Sequence, residues 1–273
     1  MSPQILHAAV PAAHDALLLP ILLFTALGGV LSALIAGAFL LLPPAYRDRV
    51  LPHSVSFATG TLLATALLAL IPHAVMGAGP FRVHEIGIAL LGGIGLFFVL
   101  EKFLLWRHCH TEAVETAHTH EHHRHEASGW LVMIGDGLHN FIDGVLIAAA
   151  FLTDFHLGVV TTFAIMAHEI PQEVGNFAVL LQGGFSRAKA LAWNVLSSLT
   201  AVAGGLLGWW ALGGAMSILP YALAVAAASL LYVAVADLIP GLHKRTDLRA
   251  GAYQLLWIGI GVVLVVVAES QLH

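Results

Sequence analysis

The sequence predicts an all-α polytopic membrane protein with eight transmembrane helices in a 3+2+3 arrangement, inverted three-helix halves flanking helices four and five. Three observations carry this reading. Of the 273 residues, 59% are apolar and 10% charged, where a soluble domain has about 45–50% and about 25%, and the mean hydropathy is +0.87. Eight apolar runs bounded by charge, proline or glycine approach the roughly 20 residues needed to cross a hydrocarbon core of about 30 Å. The basic residues then fall in alternate loops, as the positive-inside rule requires.

Helix one spans residues 16–42. No Lys or Arg precedes it and no small-residue cleavage site follows, so it is expected to stay in the mature chain rather than leave as a signal peptide. Helix two, 54–77, contains Leu70-Ile71-Pro72 near its outer end, and helix seven, 216–239, closes on Leu238-Ile239-Pro240. The two run in opposite directions, which suits inverted halves of the kind many transporters use. Helix three, 86–106, leads into segment 107–128, where histidines alternate with glutamates. That stretch is too polar and repetitive to pack, so it is expected to be a flexible cytoplasmic loop within a single 1–273 domain. Helices four, 130–152, and five, 157–181, follow, then six, 190–212, and after helix seven the last, 252–268.

Orientation comes from the loops. With the N-terminus outside, Arg47, Arg49, Lys102, Arg107, Arg124, Arg187, Lys189, Lys244, Arg245 and Arg249 face the cytoplasm and Arg82 alone faces out, a split of ten to one. Both termini are then outside, and the setting expected is a bacterial inner (plasma) membrane with lipid as a constant partner. The net charge of −5 leaves no basic surface for nucleic acid. A single cysteine, Cys109, excludes a disulfide framework. The anomaly is 17 histidines against 11 lysines and arginines, an excess that points to metal or protons.

Ionisable groups at bilayer depth cost about 2.5–3.5 kcal/mol each even on the insertion scale, so those present need a reason. Helix four reads GDGLHNFIDG, with Asp136, His139, Asn140 and Asp143; helix five reads HEIPQE, with His168, Glu169, Gln172 and Glu173. Residues four apart share a helical face. His139 with Asp143, His168 with Gln172, and Glu169 with Glu173 therefore form three vertical pairs, and two facing helices so patterned can hold two adjacent cations. The first site is expected from His139, Asp143, His168 and Gln172, a nitrogen and oxygen set suited to zinc and its first-row neighbours. The second, richer in oxygen, would use Asn140, Glu169 and Glu173. Pro171 cannot donate to the carbonyl of Ala167, which leaves that oxygen as a further ligand candidate.

HNFIDG and HEIPQE resemble the helix-four and helix-five signatures of the ZIP (Zrt- and Irt-like protein) metal transporters, most closely the subfamily whose second motif reads HEIPHE; LYVAVADLIP resembles that subfamily's seventh helix. The resemblance implies transport of Zn²⁺, with Fe²⁺, Mn²⁺ and Cd²⁺ as further candidates, toward the cytoplasm through a two-metal site between helices four and five, and a homodimer. The metal is the substrate, and no organic cofactor is expected. Gln172 stands where the subfamily has its second histidine, a neutral and weaker ligand.

Four features stay open on sequence alone. His108, His110, His118, His120, His122, His123 and His125 either buffer metal or form a solvated segment. His73 either lines an outer entrance or is structural, Asp136 adds a carboxylate on the pathway, and Asp237 is a candidate inner relay or gate. Two other readings of the whole compete: a membrane-embedded zinc hydrolase, since HEIPQE begins like HExxH but lacks its second histidine, and a proton-coupled metal exporter.

Overall fold

The computed structural model describes residues 3–114 and 121–270, with side chains described over 14–102 and 133–270. The described residues form eight long helical rods. α1 runs Pro3–Ala26, widens into a π turn at Leu27–Leu31 and continues as Ser32–Phe39; α2 is Pro44–Ala64, a π turn at Thr65–Leu70 and Ile71–Ala78. α3 is Val83–Val114, α4 Glu121–Thr153, α5 Phe155–Gln182 and α6 Arg187–Gly213. α7 is Leu219–Tyr232, a π turn at Val233–Leu238 and Ile239–His243, and α8 is Leu248–Ser270.

Local chemistry sets the turns. Asp154 caps α5 by accepting from the backbone N–H groups of His156 and Leu157, Ser186 caps α6 through the N–H of Lys189, and Asp247 accepts from Ala250 at the start of α8. Each satisfies a donor that the first turn of a helix leaves free. Gly184, at φ +83°, makes the left-handed turn between α5 and α6 that a residue with a side chain would resist.

The Leu-Ile-Pro echo has a structural counterpart. Pro72 and Pro240 lack an N–H, and their rings displace the carbonyls of Leu68 and Ala236 four residues back. Both helices widen there, with the N–H of Ile71 reaching the carbonyl of Ala66 and that of Ile239 reaching Ala234, the five-residue step of a π turn.

Six of the rods are long and apolar enough to cross a membrane: α1 from His14, α2, α3 to Lys102, α6, α7 and α8. Over their described residues α4 and α5 fall short of that measure, so six of the eight expected transmembrane helices meet it. Their polar residues lower the apolarity, and the helices tolerate them because neighbouring protein rather than lipid covers the polar faces: Asp136, Asn140, Asp143, His168, Glu169 and Glu173 are all buried. α4 packs most broadly against α6, and α1, α4, α5 and α6 lie together; α2 packs on α8 and α3 on α7. The α4–α6 contact is backbone on backbone. A Cβ added to Gly144 would sit 1.9 Å from the carbonyl oxygen of Ala201, and one on Gly204 1.9 Å from that of Phe141, so both positions require glycine.

Candidate metal centre

α4 and α5 run antiparallel, joined by a tight turn at Asp154, and this brings His139 and Asp143 level with His168 and Glu169. One donor atom from each of these four lies within 4.8 Å of all the others. His139 Nε2 is 3.2 Å from His168 Nε2, 3.7 Å from Asp143 Oδ2 and 3.5 Å from Glu169 Oε1. His168 Nε2 is 3.5 Å from Asp143 Oδ2 and 3.8 Å from Glu169 Oε1. A tetrahedron with metal–ligand bonds of about 2.0–2.1 Å has edges of about 3.3–3.4 Å. The spacing therefore accommodates an ion of zinc's size with only small adjustments.

The electrostatics call for a cation as well. Asp143 Oδ2 and both carboxylate oxygens of Glu169 are buried without a hydrogen-bond partner, a costly state for groups that carry negative charge. Two carboxylates and two neutral imidazoles balance a dication. His168 Nδ1 faces the carbonyl of Ala164 at 3.4 Å, which turns Nε2 toward the other donors, the outer contact that commonly orients a ligating histidine.

The grouping differs from the one that spacing suggested. Glu169, assigned to the second site, stands with His139, Asp143 and His168. Gln172 gives its amide N–H to Asp136 Oδ1 at 3.4 Å. The cause is the antiparallel register: a step of one turn forward along α5, from His168 to Gln172, is a step backward along α4, from the level of Asp143 toward Asp136. Asp136 is held further by Asn176 at 2.6 Å and by the Ser197 hydroxyl at 2.5 Å, and its backbone carbonyl accepts from Asn140 at 3.2 Å. Glu173 takes the Ser198 hydroxyl on Oε1 at 2.8 Å, while its Oε2 has no hydrogen-bond partner; the Asn194 amide donates to its backbone carbonyl.

Asn176, Asn194, Ser197 and Ser198 were not singled out by the sequence reading. A signal existed in Asn194, Ser197 and Ser198, which mark one face at three- and four-residue spacing in an otherwise apolar helix.

A cavity of about 230 Å³ adjoins the centre on the side of Asp136, with His139, Asp136 and Gln172 in one wall and Glu101, Tyr232 and Asp237 in another. Tyr232 donates its hydroxyl to Glu101 across α3 and α7. Asp237 thus shares a cavity with the centre, and Glu101 and Tyr232 join it without having been foreseen. His73 sits apart from the four-residue group, its Nδ1 2.9 Å from the carbonyl of Ala69 one turn back on α2. His108 and His110 fall in the backbone of α3, and His122, His123 and His125 in that of α4. The side chains of these five, and His118 and His120 altogether, lie outside the described residues.

Comparison with known proteins agrees with these elements. Residues 105–269 match the family model described as ZIP zinc transporter. The zinc transporter ZIP5 of Homo sapiens is 33% identical over 311 residues, a match covering 90% of this chain and 57% of the relative. The zinc transporter ZIP4 of Mus musculus is 32% identical over 256 residues, covering 71% of this chain and 39% of that protein, and ZIP13 of Pongo abelii is 32% identical over 232 residues, covering 79% and 66%. The chain spans about half the length of such curated relatives.

Proposed function

This chain belongs to the ZIP zinc transporter family, and we propose that it carries Zn²⁺ across the membrane toward the cytoplasm, with His139, Asp143, His168 and Glu169 holding the ion in transit. The observation that carries the proposal is the four-donor cluster between α4 and α5, whose edges suit zinc and whose carboxylate oxygens lack partners. A second ion would sit beside it on Asn140, Glu173 and the remaining oxygen of Glu169. The free Oε2 of Glu173 supports this. Gln172 and Asp136 then line the route rather than close it, with Asp237 and Glu101 beyond.

Direction is supported by access. Past Asp143, α4 is buried from Leu146 to Leu152 in an apolar core with Leu70, Leu157 and Leu223, whereas past His139 it borders the cavity with Asp237. In the orientation set by the ten-to-one basic split, the cavity side is the cytoplasmic one. We read α2 and α7, with their matching π turns ahead of Ile-Pro, as counterparts in the two inverted halves. The hydrolase alternative lapses, because the family is one of transporters, not enzymes.

The test is ⁶⁵Zn²⁺ uptake into proteoliposomes by the wild type and by His139→Ala, Asp143→Ala and Glu169→Ala. Each variant is expected to lose most of the uptake while eluting from a sizing column as the wild type does. Undiminished uptake by His139→Ala would mean that the ion takes another path. A competition series with Cd²⁺, Mn²⁺ and Fe²⁺ ranks the substrates, and loading vesicles from inside distinguishes import from export.

A further inference from the structure

A pocket of about 390 Å³ opens where α1 and α5 end and α2 and α6 begin, apart from the metal centre and the cavity beside it. Leu34 and Leu40 from the end of α1, Phe177 and Leu181 from α5 and Leu191 from α6 make its wall apolar, and two arginines, Arg47 and Arg187, complete it. The site is shallow. Leu34 lies five residues before Phe39 and Phe177 five before Gln182, while Leu191 lies four after Arg187 and Arg47 three after Pro44. At a rise of 1.5 Å per residue the pocket reaches about 7.5 Å inward from the helix ends. Phe39 and Arg187 are also where the apolar spans of α1 and α6 stop, so the pocket sits at the membrane–water boundary.

Its charge is one-sided. No acidic side chain belongs to the wall, and neither arginine is in an ion pair among the described residues. Arg47 Nε is buried without a hydrogen-bond partner, a costly state for part of a cation unless an anion offsets it. The apolar wall decides which anion. A soluble phosphate gains nothing from five hydrocarbon side chains, whereas a phosphate that continues into a hydrocarbon chain uses the whole lining. Guanidinium groups match phosphate oxygens in pairs. Leu34, about half exposed although it lies within the span of α1, opens the pocket toward lipid.

We propose that this pocket binds an anionic phospholipid, with Arg47 and Arg187 on the headgroup phosphate and the first carbons of one acyl chain against Leu34, Phe177 and Leu191. In the orientation argued above both arginines face the cytoplasm, so the lipid belongs to the inner leaflet, whose anionic surface attracts such side chains; the pocket and its arginines do not depend on that orientation. A phosphate shared by the two joins the start of α2, which packs on α8, to the start of α6, which packs on α4.

Native mass spectrometry of the full chain in detergent, with phosphatidylglycerol or phosphatidylcholine added, reads bound lipid directly. The wild type is expected to bind phosphatidylglycerol about 30-fold more tightly than phosphatidylcholine, whose choline cation cancels its phosphate, the effect of two basic side chains at an anionic headgroup. Arg47→Gln and Arg187→Gln should each lower that preference about fivefold, and the double variant should bring it toward one. Lys244→Gln, a charge change outside the pocket, should leave it within about twofold, the scatter expected of surface electrostatics. Ala38→Phe, which adds a ring at the wall, should weaken binding of phosphatidylglycerol. Equal binding of the two lipids by the wild type, or a preference that Lys244→Gln lowers as much as Arg47→Gln does, would overturn the proposal. So would displacement of bound phosphatidylglycerol by equimolar inorganic phosphate, which would make this a soluble-anion site. A preference that emerges only when residues 111–126 are deleted would also overturn it and give the pocket to the glutamates of that segment.

Discussion

Replacing Glu169 by Gln separates a metal ligand from a structural carboxylate more sharply than any other single change. The substitution keeps the shape and one oxygen and removes the charge. Glu169 is fully buried, and both its oxygens lack a hydrogen-bond partner, so without metal the charge has only the imidazoles of His139 at 3.5 Å and His168 at 3.8 Å to face. The apo protein should therefore lose no stability on the change, seen as a melting temperature in chelator no lower than the wild type's. With metal the change is costly. Two carboxylates neutralise a dication; one leaves a net positive charge in a buried site. Breaking a buried charge pair costs about 3–5 kcal/mol, which at about 1.4 kcal/mol per decade is a loss of roughly 100- to several-thousand-fold in zinc affinity. Calorimetric titration of detergent-purified protein measures affinity, and thermal unfolding in chelator and in zinc measures the two stabilities. Affinity within twofold of the wild type, together with a less stable apo state, would refute the assignment and make Glu169 a packing residue.

Three further outcomes are expected. Gly144→Ala places a Cβ 1.9 Å from the Ala201 oxygen, so α4 must shift by more than 1 Å to restore contact distance; uptake should fall by about a hundredfold, as misplacement on that scale can cause, and wild-type uptake in a folded variant would contradict it. Uptake should weaken as pH is lowered from 7 toward 5 on the entry side, because His139, His168 and the carboxylates bind metal deprotonated and protons compete; initial-rate measurements that rise on acidification would reverse this sign. Deleting residues 111–126 should leave uptake measurable, since His139, Asp143, His168 and Glu169 lie elsewhere, and complete loss in a folded deletion would put the histidine segment on the route.

Much of this was legible in the residues. The apolar runs locate the rods because lipid imposes both length and composition, and the four-residue spacing of His139 with Asp143 holds in any helix. What sequence could not supply was the relative register of two helices. Spacing along α5 makes His168 and Gln172 neighbours, but it is silent on which of them stands level with Asp143; the antiparallel packing brings Glu169 into that group and ties Gln172 to Asp136. Asn176 escaped for the same reason, since a lone amide acquires meaning only when Asp136 is placed opposite it. The π turns were hidden as well. A proline announces a disturbance, and whether the helix kinks, breaks or widens depends on neighbours such as α7 against α2.

The touching backbones of α4 and α6 also bear on how the protein tells one ion from another. Helices that meet through layers of side chains can slip past each other by exchanging rotamers. Gly144 and Gly204 leave no such layer, so α4 carries α6 wherever it goes. Ser197 therefore stays on Asp136 and Ser198 on Glu173, and the polar surroundings of the proposed ion site keep one arrangement. If the centre holds an ion in transit as proposed, discrimination would then be settled at loading, by the fit of the four donors.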